Sequence, residues 1–427
     1  MIIIAEKIVS GGDSLAKING KAVFVPQLLP GEKAEIEIVE SHKDYDRGKV
    51  IKILEKSPAR REPPCPYYGI CGGCNLQIAD DEAQKQIRLQ ILQDCFRRAL
   101  RLGAENEDCS AAAKAVYKAE IISGESWGYR NRFQFHSGGL KRRAQESIVA
   151  LDDCPIAAPE VRALLKEKKL PERYGRLHVF NGNVAEESDF SPQNAAAARN
   201  VAEESEDVQE TSVTICGKTI YFDVRGFFQS NISTFEKAIE AIRPIVESYT
   251  DGANCASHKF CADSVNCEQH ASCANGGLLD MYSGVGTFSA LFGDLFTKTT
   301  LVEHNRKALR FAHKNLGGIP HDVFAMTGEK WIRTKTAQKK YSAVIIDPPR
   351  SGIEKPVMNW LCGTMPGNTP ENKPDVIFSV SCDPVTHARD AALLTAAGYK
   401  MKTLMMLDFY PQTSHIESFA VFEAGRS

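Results

Sequence analysis

Four short apolar runs in the second half of the chain constrain its fold most strongly. They cover residues 277–280, 299–303, 341–346 and 375–380. Each run has the length of a buried β-strand and ends at glycine, proline or charged residues, which are turn signals. Such runs predict an open α/β sheet, and ligands of these sheets bind outside the carboxyl ends of the strands. The residues that directly follow each run are therefore the candidates for a functional site.

The first run leads into a turn that is suited to a nucleoside. Gly284 and Gly286 allow the backbone to approach a ligand closely, and the helix predicted from Phe288 offers free N–H groups at its start. The second run ends at Glu303, 23 positions after Asp280, where an acidic side chain can bind ribose hydroxyls. The third glycine of a dinucleotide-binding turn is missing. This pattern favours an adenosine-bearing ligand such as S-adenosylmethionine over NAD.

Three reactive side chains follow the later runs. Asp347 precedes two prolines that stiffen its loop, Cys382 lies just beyond the fourth run, and Glu417 opens a last strand at 418–422. Taken alone, Cys382 is typical of a small buried hydrophobe, and Glu417 of a solvated charge at a strand end. Together with a sulfonium cofactor they define one chemistry. The ionised thiol adds to C6 of a pyrimidine, C5 takes a methyl group, and a base removes the C5 proton.

These residues belong to a series of motifs that resembles the RNA uracil-5-methyltransferases. The matching segments are Phe227-Phe-Gln-Ser-Asn231, Asp280-Met-Tyr-Ser-Gly-Val-Gly-Thr287, Val302-Glu303, Asp347-Pro-Pro-Arg350, Ser381-Cys-Asp-Pro384 and His415-Ile-Glu417. The resemblance implies a Rossmann-like methyltransferase domain with Cys382 as the nucleophile and Glu417 as the proton acceptor. It implies five residues around S-adenosylmethionine: Gln229, Tyr282, Thr287, Glu303 and Asp347. Asp347 would also lie near the uracil, and the family often has Asn where Thr287 stands. Motif spacing by itself leaves uracil and cytosine open, and the resemblance selects uracil.

Length and composition bound the class of protein. The chain has 427 residues, enough for two or three domains, and it is 43% hydrophobic and 25% charged. It contains no run of 18 apolar residues, and its apolar start is too short for a signal sequence. We therefore expect a cytoplasmic protein with no membrane segment. Its 13 cysteines then indicate metal binding or catalysis rather than disulfides.

The net charge of −2 is unevenly distributed along the chain. Residues 183–211 carry eight acidic side chains and one arginine, which leaves the remainder with a net charge of +5. This segment is also rich in Ala and Ser, and we expect it to be disordered. A modestly basic body suits a nucleic-acid partner better than the total charge suggests.

The first 57 residues predict a separate small β barrel. Four short β-like runs, at 2–9, 22–25, 34–39 and 47–54, are separated by glycine-containing turns and loops. Three segments resemble the TRAM domain, an OB-like module attached to RNA-modifying enzymes: Gly12-Asp-Ser-Leu-Ala16, Phe24-Val-Pro26 and Leu29-Pro-Gly-Glu32. The barrel is either an RNA-binding module or a structural appendage.

Three cysteines follow the barrel at a spacing that indicates a metal site. Cys65, Cys71 and Cys74 are separated by five and then two residues. Zinc is the commonest ion for such spacing, and a fourth ligand is needed. Cys154 precedes a proline, as cysteines that complete iron–sulfur sites often do. In the methyltransferase family this pattern belongs to members that hold a [4Fe–4S] cluster and methylate large-subunit ribosomal RNA. The resemblance therefore implies these four cysteines as cluster ligands.

Two further segments carry basic side chains. Residues 80–103 predict a helix with Asp80 as its N-cap. Its polar face, either solvated or facing RNA, carries Lys85, Arg88, Arg97, Arg98 and Arg101. Residues 127–136 alternate aromatic and basic groups, which suits either a core strand or stacking on splayed bases.

We predict three domains along the chain. Residues 1–57 form the TRAM barrel, 58–222 a central α+β domain with the iron–sulfur cysteines, and 223–427 the methyltransferase domain. Residues 252–275 interrupt the last domain, and we predict a flexible insert there, with metal binding as the alternative. This insert contains Cys255, Cys261, Cys267 and Cys273.

The residues and the resemblance together predict an enzyme. We predict S-adenosylmethionine-dependent methylation of C5 of a specific uridine in 23S ribosomal RNA, carried out by a monomer. One alternative is a transfer-RNA substrate, but bacterial members of that type generally lack the TRAM and cysteine-containing front half. The other is a non-catalytic RNA-binding or assembly factor, against which the pair of Cys382 and Glu417 argues.

Overall fold

The computed structural model of the protein describes residues 1–103, 110–170, 176–187, 208–250, 276–365 and 372–425. Most of the predicted acidic segment, residues 188–207, lies outside these ranges. The predicted insert at 252–275, with its four cysteines, also lies outside them. Within the described ranges, no helix is long and apolar enough to cross a membrane.

The N-terminal residues form a six-stranded mixed sheet with its own apolar core. Its strands are β1 (Ile2–Ile4), β2 (Lys7–Ile8), β3 (Ser14–Ile18), β4 (Lys21–Val25), β5 (Lys33–Ser41) and β6 (Tyr45–Glu55). They are arranged in the order β1-β5-β6-β4-β3-β2. Alternate residues such as Ala16, Val23 and Ile36 point inward and are almost completely buried, as the period of a strand requires. Closure of this sheet into an OB-like barrel stays a prediction.

Two helices and one strand follow: α1 (Asp81–Ala99), α2 (Ala111–Tyr117) and β7 (Glu120–Ile122). The side chain of Asp80 accepts a hydrogen bond from the Ala83 amide, so the predicted N-cap is confirmed. The prediction for Arg88 is wrong, because this side chain is neither solvated nor on a surface. It is buried and pairs with Asp408 at 2.7 Å, and it also donates to the Thr413 carbonyl at 3.0 Å.

The central part of the chain forms an antiparallel sheet in the order β10-β9-β8-β11-β12, followed by a hairpin of β13 and β14. The elements are β8 (Arg132–His136), β9 (Gly139–Lys141), β10 (Ile148–Ala150), α3 (Pro159–Lys166), β11 (Arg176–Phe180), β12 (Asn183–Glu187), β13 (Glu210–Ile215), β14 (Lys218–Asp223) and α4 (Ile232–Ser248). The expectation of disorder over the whole of 183–211 is therefore wrong at both ends. There, pairing with β11 and β14 outweighs the acidic composition.

The C-terminal part forms the large sheet that the four apolar runs predict. Its elements are β15 (Gly277–Met281), α5 (Thr287–Phe292), β16 (Lys298–Glu303), α6 (Arg306–Leu316), β17 (His321–Ala325), α7 (Gly328–Trp331), β18 (Ala343–Ile346), α8 (Lys355–Leu361), β19 (Val376–Ser381), α9 (Pro384–Ala396), β20 (Tyr399–Leu407) and β21 (Glu417–Ala424). Short 3-10 helices lie at Gly293–Leu295 and Thr336–Gln338.

The strand order of this sheet, β17-β16-β15-β18-β19-β21-β20-β7, creates the crevice in which α/β sheets bind ligands. Strands β15 to β19 are parallel, and the chain order reverses on either side of β15. β21 runs antiparallel between β19 and β20. Apolar side chains cover both faces of the sheet, with Leu279 and Val344 on one face and Leu278 and Ile345 on the other.

The domain boundary predicted at residue 223 does not separate the central residues from this sheet. β7 pairs in parallel with β20 and forms the eighth strand. Helix α1 packs against α9, where the ring of Phe96 lies 5.3 Å from that of His387. Helix α1 and strand β7 thus belong to the same packed body as the C-terminal half.

Candidate active site

A cavity of about 1180 Å³ opens along the carboxyl ends of the parallel strands. Six of the seven residues predicted for catalysis and cofactor binding line it: Gln229, Tyr282, Glu303, Asp347, Cys382 and Glu417. The seventh, Thr287, is the first residue of α5 and is not among the lining residues. The sequence pattern therefore identified one connected site from segments that lie up to 188 positions apart.

The turn between β15 and α5 has the conformation that its glycines predict. Gly286 has a φ of +75°, and a side-chain carbon added there would lie 2.9 Å from Leu316 of α6. Only glycine therefore allows α5 to pack this closely against α6. Below the turn, the buried Asp280 carboxylate accepts hydrogen bonds from the Ser289 amide at 3.2 Å and the Ser289 hydroxyl at 2.5 Å. Burial raises the pKa of Asp280 to about 7.

Glu303 connects this turn to the next strand. One of its carboxylate oxygens accepts from the Gly284 amide at 3.1 Å, and the other from the Asn305 amide at 2.7 Å. These two bonds fix a carboxylate at the wall of the cavity, at the end of the second parallel strand. Such an oriented acid is what recognition of ribose hydroxyls requires.

Two buried polar atoms near the turn have no partner within the described part of the chain. They are the Gln229 Oε1 and the Ser283 Oγ. A buried polar atom without a hydrogen bond is costly, and such atoms are usually satisfied by a ligand or by water. Gln229 also lines the cavity, so its oxygen is available to a bound molecule there.

Cys382 and Glu417 are brought together by strand pairing. In the antiparallel ladder of β19 and β21, Ser381 pairs with Ser418. Cys382 directly follows Ser381, and Glu417 directly precedes Ser418, so the two side chains occupy facing positions at the strand ends. Facing positions hold Cβ atoms about 4.5–5.5 Å apart. A thiol and a carboxyl group therefore share the floor of the cavity.

The resting charge of the Cys382 sulfur differs from the prediction. Burial, and then the charges of the nearby Glu417 and Asp347 carboxyls, raise the pKa of the thiol to about 11. The guanidinium of Arg350 opposes this by its charge and by a hydrogen bond to the sulfur. The expected ionised sulfur is thus a neutral thiol at neutral pH, because its surroundings are largely desolvated and acidic.

The carboxyl groups of Asp347 and Glu417, which lie beside Cys382 at the floor of the cavity, also have raised pKa values. Burial raises the pKa of Asp347 to about 7. Burial, and then the charge of Asp347, raise the pKa of Glu417 well above its ordinary value. Carboxyl groups tuned towards neutral pH are suited to accept and release protons during a reaction.

Sequence reasoning assigned no role to several lining residues, among them Arg350, Tyr410 and His415. Arg350 lies within the Asp347 motif, so its position in the sequence was a usable signal. Tyr410 and His415 lie in the loop between β20 and β21, which has no periodicity that indicates where its side chains point. Burial raises the pKa of Tyr410 above its ordinary value, with further contributions from Glu417 and Cys382.

A second cavity, of about 30 Å³, is lined by all four predicted iron–sulfur cysteines: Cys65, Cys71, Cys74 and Cys154. None of the four is in a disulfide. Burial raises the pKa of Cys74 to about 12 and that of Cys154 to about 11. Most of the remaining wall is apolar or aromatic. Within the described ranges, however, no group of three or more His, Cys, Asp or Glu side chains is arranged to hold a metal ion. The ligand of this cavity therefore stays a prediction.

Comparison with known proteins identifies the family. Residues 2–51 match the family model of the TRAM domain, as the N-terminal motifs predict. A relative from Treponema denticola, named an uncharacterized RNA methyltransferase, is 38% identical, and the alignment covers 99% of this chain and 98% of the relative. The chain belongs to this family of RNA methyltransferases. The prediction of an enzyme of this class is therefore confirmed.

This methyltransferase is also similar to proteins with more specific names. It is 26% identical to a Photorhabdus laumondii protein named 23S rRNA (uracil(1939)-C(5))-methyltransferase RlmD, over 98% of this chain and 95% of that protein. The crystal structure of a Pyrococcus abyssi tRNA (uracil-54, C5)-methyltransferase with S-adenosyl-L-homocysteine aligns with a TM-score of 0.64 at 20% identity. That alignment covers 99% of this chain and 100% of the other, and it shows a shared fold.

We expect the Cys382 thiol to react slowly with iodoacetamide at neutral pH and faster as the pH rises. Because its pKa is raised to about 11, the thiolate fraction is small at neutral pH. The alkylation rate should therefore grow about tenfold per pH unit between about pH 7 and 9. Arg350→Ala should slow alkylation throughout this range, because it removes the positive charge that favours the thiolate. Mass spectrometry of the alkylated peptide measures the rate at this residue.

The matched control is Arg333→Ala, which removes an exposed arginine that pairs with Glu329 on the surface. It should leave the rate at Cys382 unchanged. A rate that is already at its plateau at pH 7 would show an ionised resting thiol and would contradict the raised pKa.

Proposed function

We propose that this methyltransferase transfers a methyl group from S-adenosylmethionine to C5 of a specific uridine in 23S ribosomal RNA. The observation that carries the proposal is the facing arrangement of Cys382 and Glu417 at the ends of β19 and β21. Both side chains line the cavity that also contains the nucleoside-type turn. A thiol beside a carboxyl group in a cofactor crevice suits covalent activation of a pyrimidine ring.

Several residues fit the cofactor that this reaction needs. The fixed carboxylate of Glu303 suits the ribose hydroxyls, and the unpartnered Gln229 oxygen and Tyr282 line the same wall. Asp347 directly follows β18, which lies between β15 and β19 in the sheet, and it therefore lies between this wall and the thiol. A contact of Thr287 with the cofactor stays a prediction. When bound, S-adenosylmethionine supplies a methyl group on a positively charged sulfur.

In the proposed reaction the Cys382 thiol first gives its proton to the Asp347 carboxylate, so that Glu417 can still accept a proton later. The resulting thiolate forms a bond to C6 of the uracil, and the electrons of the C5–C6 double bond shift onto C5 and O4. C5 then accepts the methyl group. Glu417 removes the proton that remains on C5, the double bond returns, and the bond between C6 and sulfur breaks to release the thiolate. Arg350 stabilises the sulfur while it is negatively charged.

The substrate assignment is supported by the N-terminal TRAM match and by the relatives named as 23S rRNA enzymes. A base inside a helix cannot present C6 to a thiol, so the target uridine is single-stranded or flipped out.

Transfer RNA is the second candidate. The similar Pyrococcus abyssi structure is of a tRNA enzyme, but at 20% identity it supports the fold alone. We also propose that the enzyme acts in the cytoplasm as a monomer.

Glu417→Gln should trap the enzyme on its RNA, because the C5 proton can no longer be removed after methyl transfer. Turnover should fall by at least about 10²-fold, the usual contribution of a general base. The covalent protein–RNA species should be visible as a band that resists denaturing electrophoresis. Cys382→Ala should form no such band and no 5-methyluridine.

Glu423→Gln is the control for this experiment, because it lies on the same strand but near its far end, where it pairs with Lys402. It should turn over like the unmodified enzyme. Methylation by Cys382→Ala at the normal rate would rule out the covalent mechanism.

Unmodified transcripts of 23S rRNA and of tRNA distinguish the two substrates. We expect 5-methyluridine at a single position of the 23S transcript and none in tRNA, because the front half of the chain resembles the rRNA type. Mass-spectrometric mapping of nuclease fragments identifies the position. Methylation of tRNA alone would replace the proposed substrate and leave the chemistry intact.

We further propose that Cys65, Cys71, Cys74 and Cys154 bind a [4Fe–4S] cluster. The supporting observation is the convergence of four free thiols on one largely apolar cavity. The cysteine spacing resembles that of cluster-binding methyltransferases, and this resemblance is the reason to propose a cluster rather than a zinc ion. The cluster would fold the domain and shape an RNA surface.

Protein purified without oxygen should contain about four irons and four sulfides per chain and show the broad visible absorption of such clusters. Cys74→Ser should lose most of this iron, because it removes one ligand. Cys216→Ser is the matched control, since this exposed cysteine lies in the turn between β13 and β14, away from the cavity. One zinc per chain and no iron would overturn the cluster assignment.

A further inference from the structure

The loop between β20 and β21, residues 408–416, brings Tyr410 and His415 to the cavity and leads directly into Glu417. Its own backbone has no regular secondary structure. Glu417 is the first residue of β21, so the placement of its carboxyl depends both on strand pairing and on what holds the residues just before it. Contacts on two sides of the loop supply this support.

On one side, α1 anchors the early and middle parts of the loop. Arg88 pairs with Asp408 at 2.7 Å. The Gln84 Nε2 donates a hydrogen bond to the Gln412 Oε1 at 2.9 Å, and the Gln84 Oε1 accepts one from the Gln412 backbone amide at 2.8 Å. All four residues are at least nine-tenths buried. Arg88 also donates to the Thr413 carbonyl at 3.0 Å, so α1 holds the loop as far as Thr413.

On the other side, the side chain of Asn75 holds Ser414. The Asn75 Oδ1 accepts from the Ser414 amide at 2.8 Å, and the Asn75 Nδ2 donates to the Ser414 hydroxyl at 2.9 Å. The backbone adds two bonds, because the amides of Asn75 and Leu76 donate to the Gln412 carbonyl at 3.2 and 3.0 Å. The Asn75 side chain thus holds the loop by hydrogen bonds three residues before Glu417.

Asn75 is itself held in place from two directions. Its Nδ2 also donates to the Gly11 carbonyl at 3.2 Å, and its own carbonyl accepts from the Tyr68 hydroxyl at 2.8 Å. Gly12, which follows Gly11 in the turn, has a φ of +92°. A side-chain carbon added at Gly12 would collide with the Asn75 Nδ2 and would lie 2.9 Å from the Ser414 hydroxyl. The glycine turn of the N-terminal sheet therefore closes directly over the contact between Asn75 and Ser414.

We propose that Asn75 is a positioning residue of the methyl-transfer reaction. It does not line the cavity, and it acts by holding Ser414 so that Glu417 faces Cys382. Through this one side chain, the N-terminal sheet and the segment that follows Cys74 set the position of the proton acceptor. The proposal rests on the role of Glu417 in the proposed function.

The test uses Asn75→Ala in the full-length enzyme, with unmodified 23S rRNA as substrate. We expect turnover to fall about 10- to 100-fold, the range for a small misplacement of a catalytic group, while the KM for RNA changes less than about twofold. Because Glu417 acts after the thiol has added, the covalent protein–RNA species should accumulate, as it does not in the unmodified enzyme. Alkylation of Cys382 by iodoacetamide should keep its rate, since the thiol lies on another strand.

Two further variants separate positioning from folding. Asn75→Asp keeps an oxygen for the Ser414 amide but loses the Nδ2 that donates to the Gly11 carbonyl and to the Ser414 hydroxyl. It should recover turnover to within about threefold of the unmodified enzyme. Ser414→Ala keeps the backbone bond and should behave in the same way. Gln86→Ala is the matched control, because it removes an exposed amide that donates a hydrogen bond to Glu82 on α1.

Turnover of Asn75→Ala equal to that of Gln86→Ala would overturn the proposal. So would lower turnover without accumulation of the covalent species, or a parallel loss of Cys382 alkylation, since either would indicate general structural damage. If Asn75→Ala does not fold, low turnover of soluble Asn75→Asp without the covalent species would overturn it as well. Failure of the proposed function itself is seen separately, because the unmodified enzyme would then form no 5-methyluridine.

Discussion

The antiparallel ladder between β19 and β21 is the constraint on which the catalytic arrangement depends. It sets the residue after one strand opposite the residue that opens the other, so thiol and carboxyl meet without a flexible segment between them. Side chains alternate between the faces of a strand, and a slip of one residue would turn Glu417 away from Cys382. The buried apolar faces of the sheet forbid that slip, so the packing of the core also fixes the geometry of the reaction.

The electrostatics of the cavity depend on how deeply its ionisable side chains are buried. Asp280, Asp347 and Glu417 lie within one desolvated region, where each ionised carboxylate makes ionisation of the next less favourable. The Cys382 thiol shares this region and is protonated at rest. A protonated thiol reacts poorly with oxidants and stray electrophiles. The site thus protects its nucleophile until a substrate and a proton acceptor are both in place, and Arg350 is the cation that lowers the cost of ionisation.

Sequence reasoning succeeded where a local pattern determines a spatial relation. The carboxyl ends of parallel strands meet at one edge, so Glu303, Asp347 and Cys382 were predicted together and line one cavity. It failed where the partner is remote. Helical periodicity assigned Arg88 to a polar face, but its partner, Asp408, lies 320 positions away. The acidic composition of 183–211 predicted disorder, but strand pairing orders its two ends. The charge of the Cys382 sulfur depends on burial, on Asp347 and Arg350 in one loop, and on Glu417 at the start of β21, and composition reveals none of these.

Strand β7 has a consequence for how the chain can be divided. It is contributed by residues ahead of the cofactor-binding half, yet it hydrogen-bonds along the outer side of β20. Without it, β20 would present a row of bare N–H and C=O groups, a template on which foreign strands can add. A fragment that starts at residue 223 would keep Cys382 and Glu417, but it would leave β20 as an open edge strand that can pair with other chains and aggregate. The half of the molecule that holds the reactive groups therefore completes its sheet with a strand that is made earlier in translation.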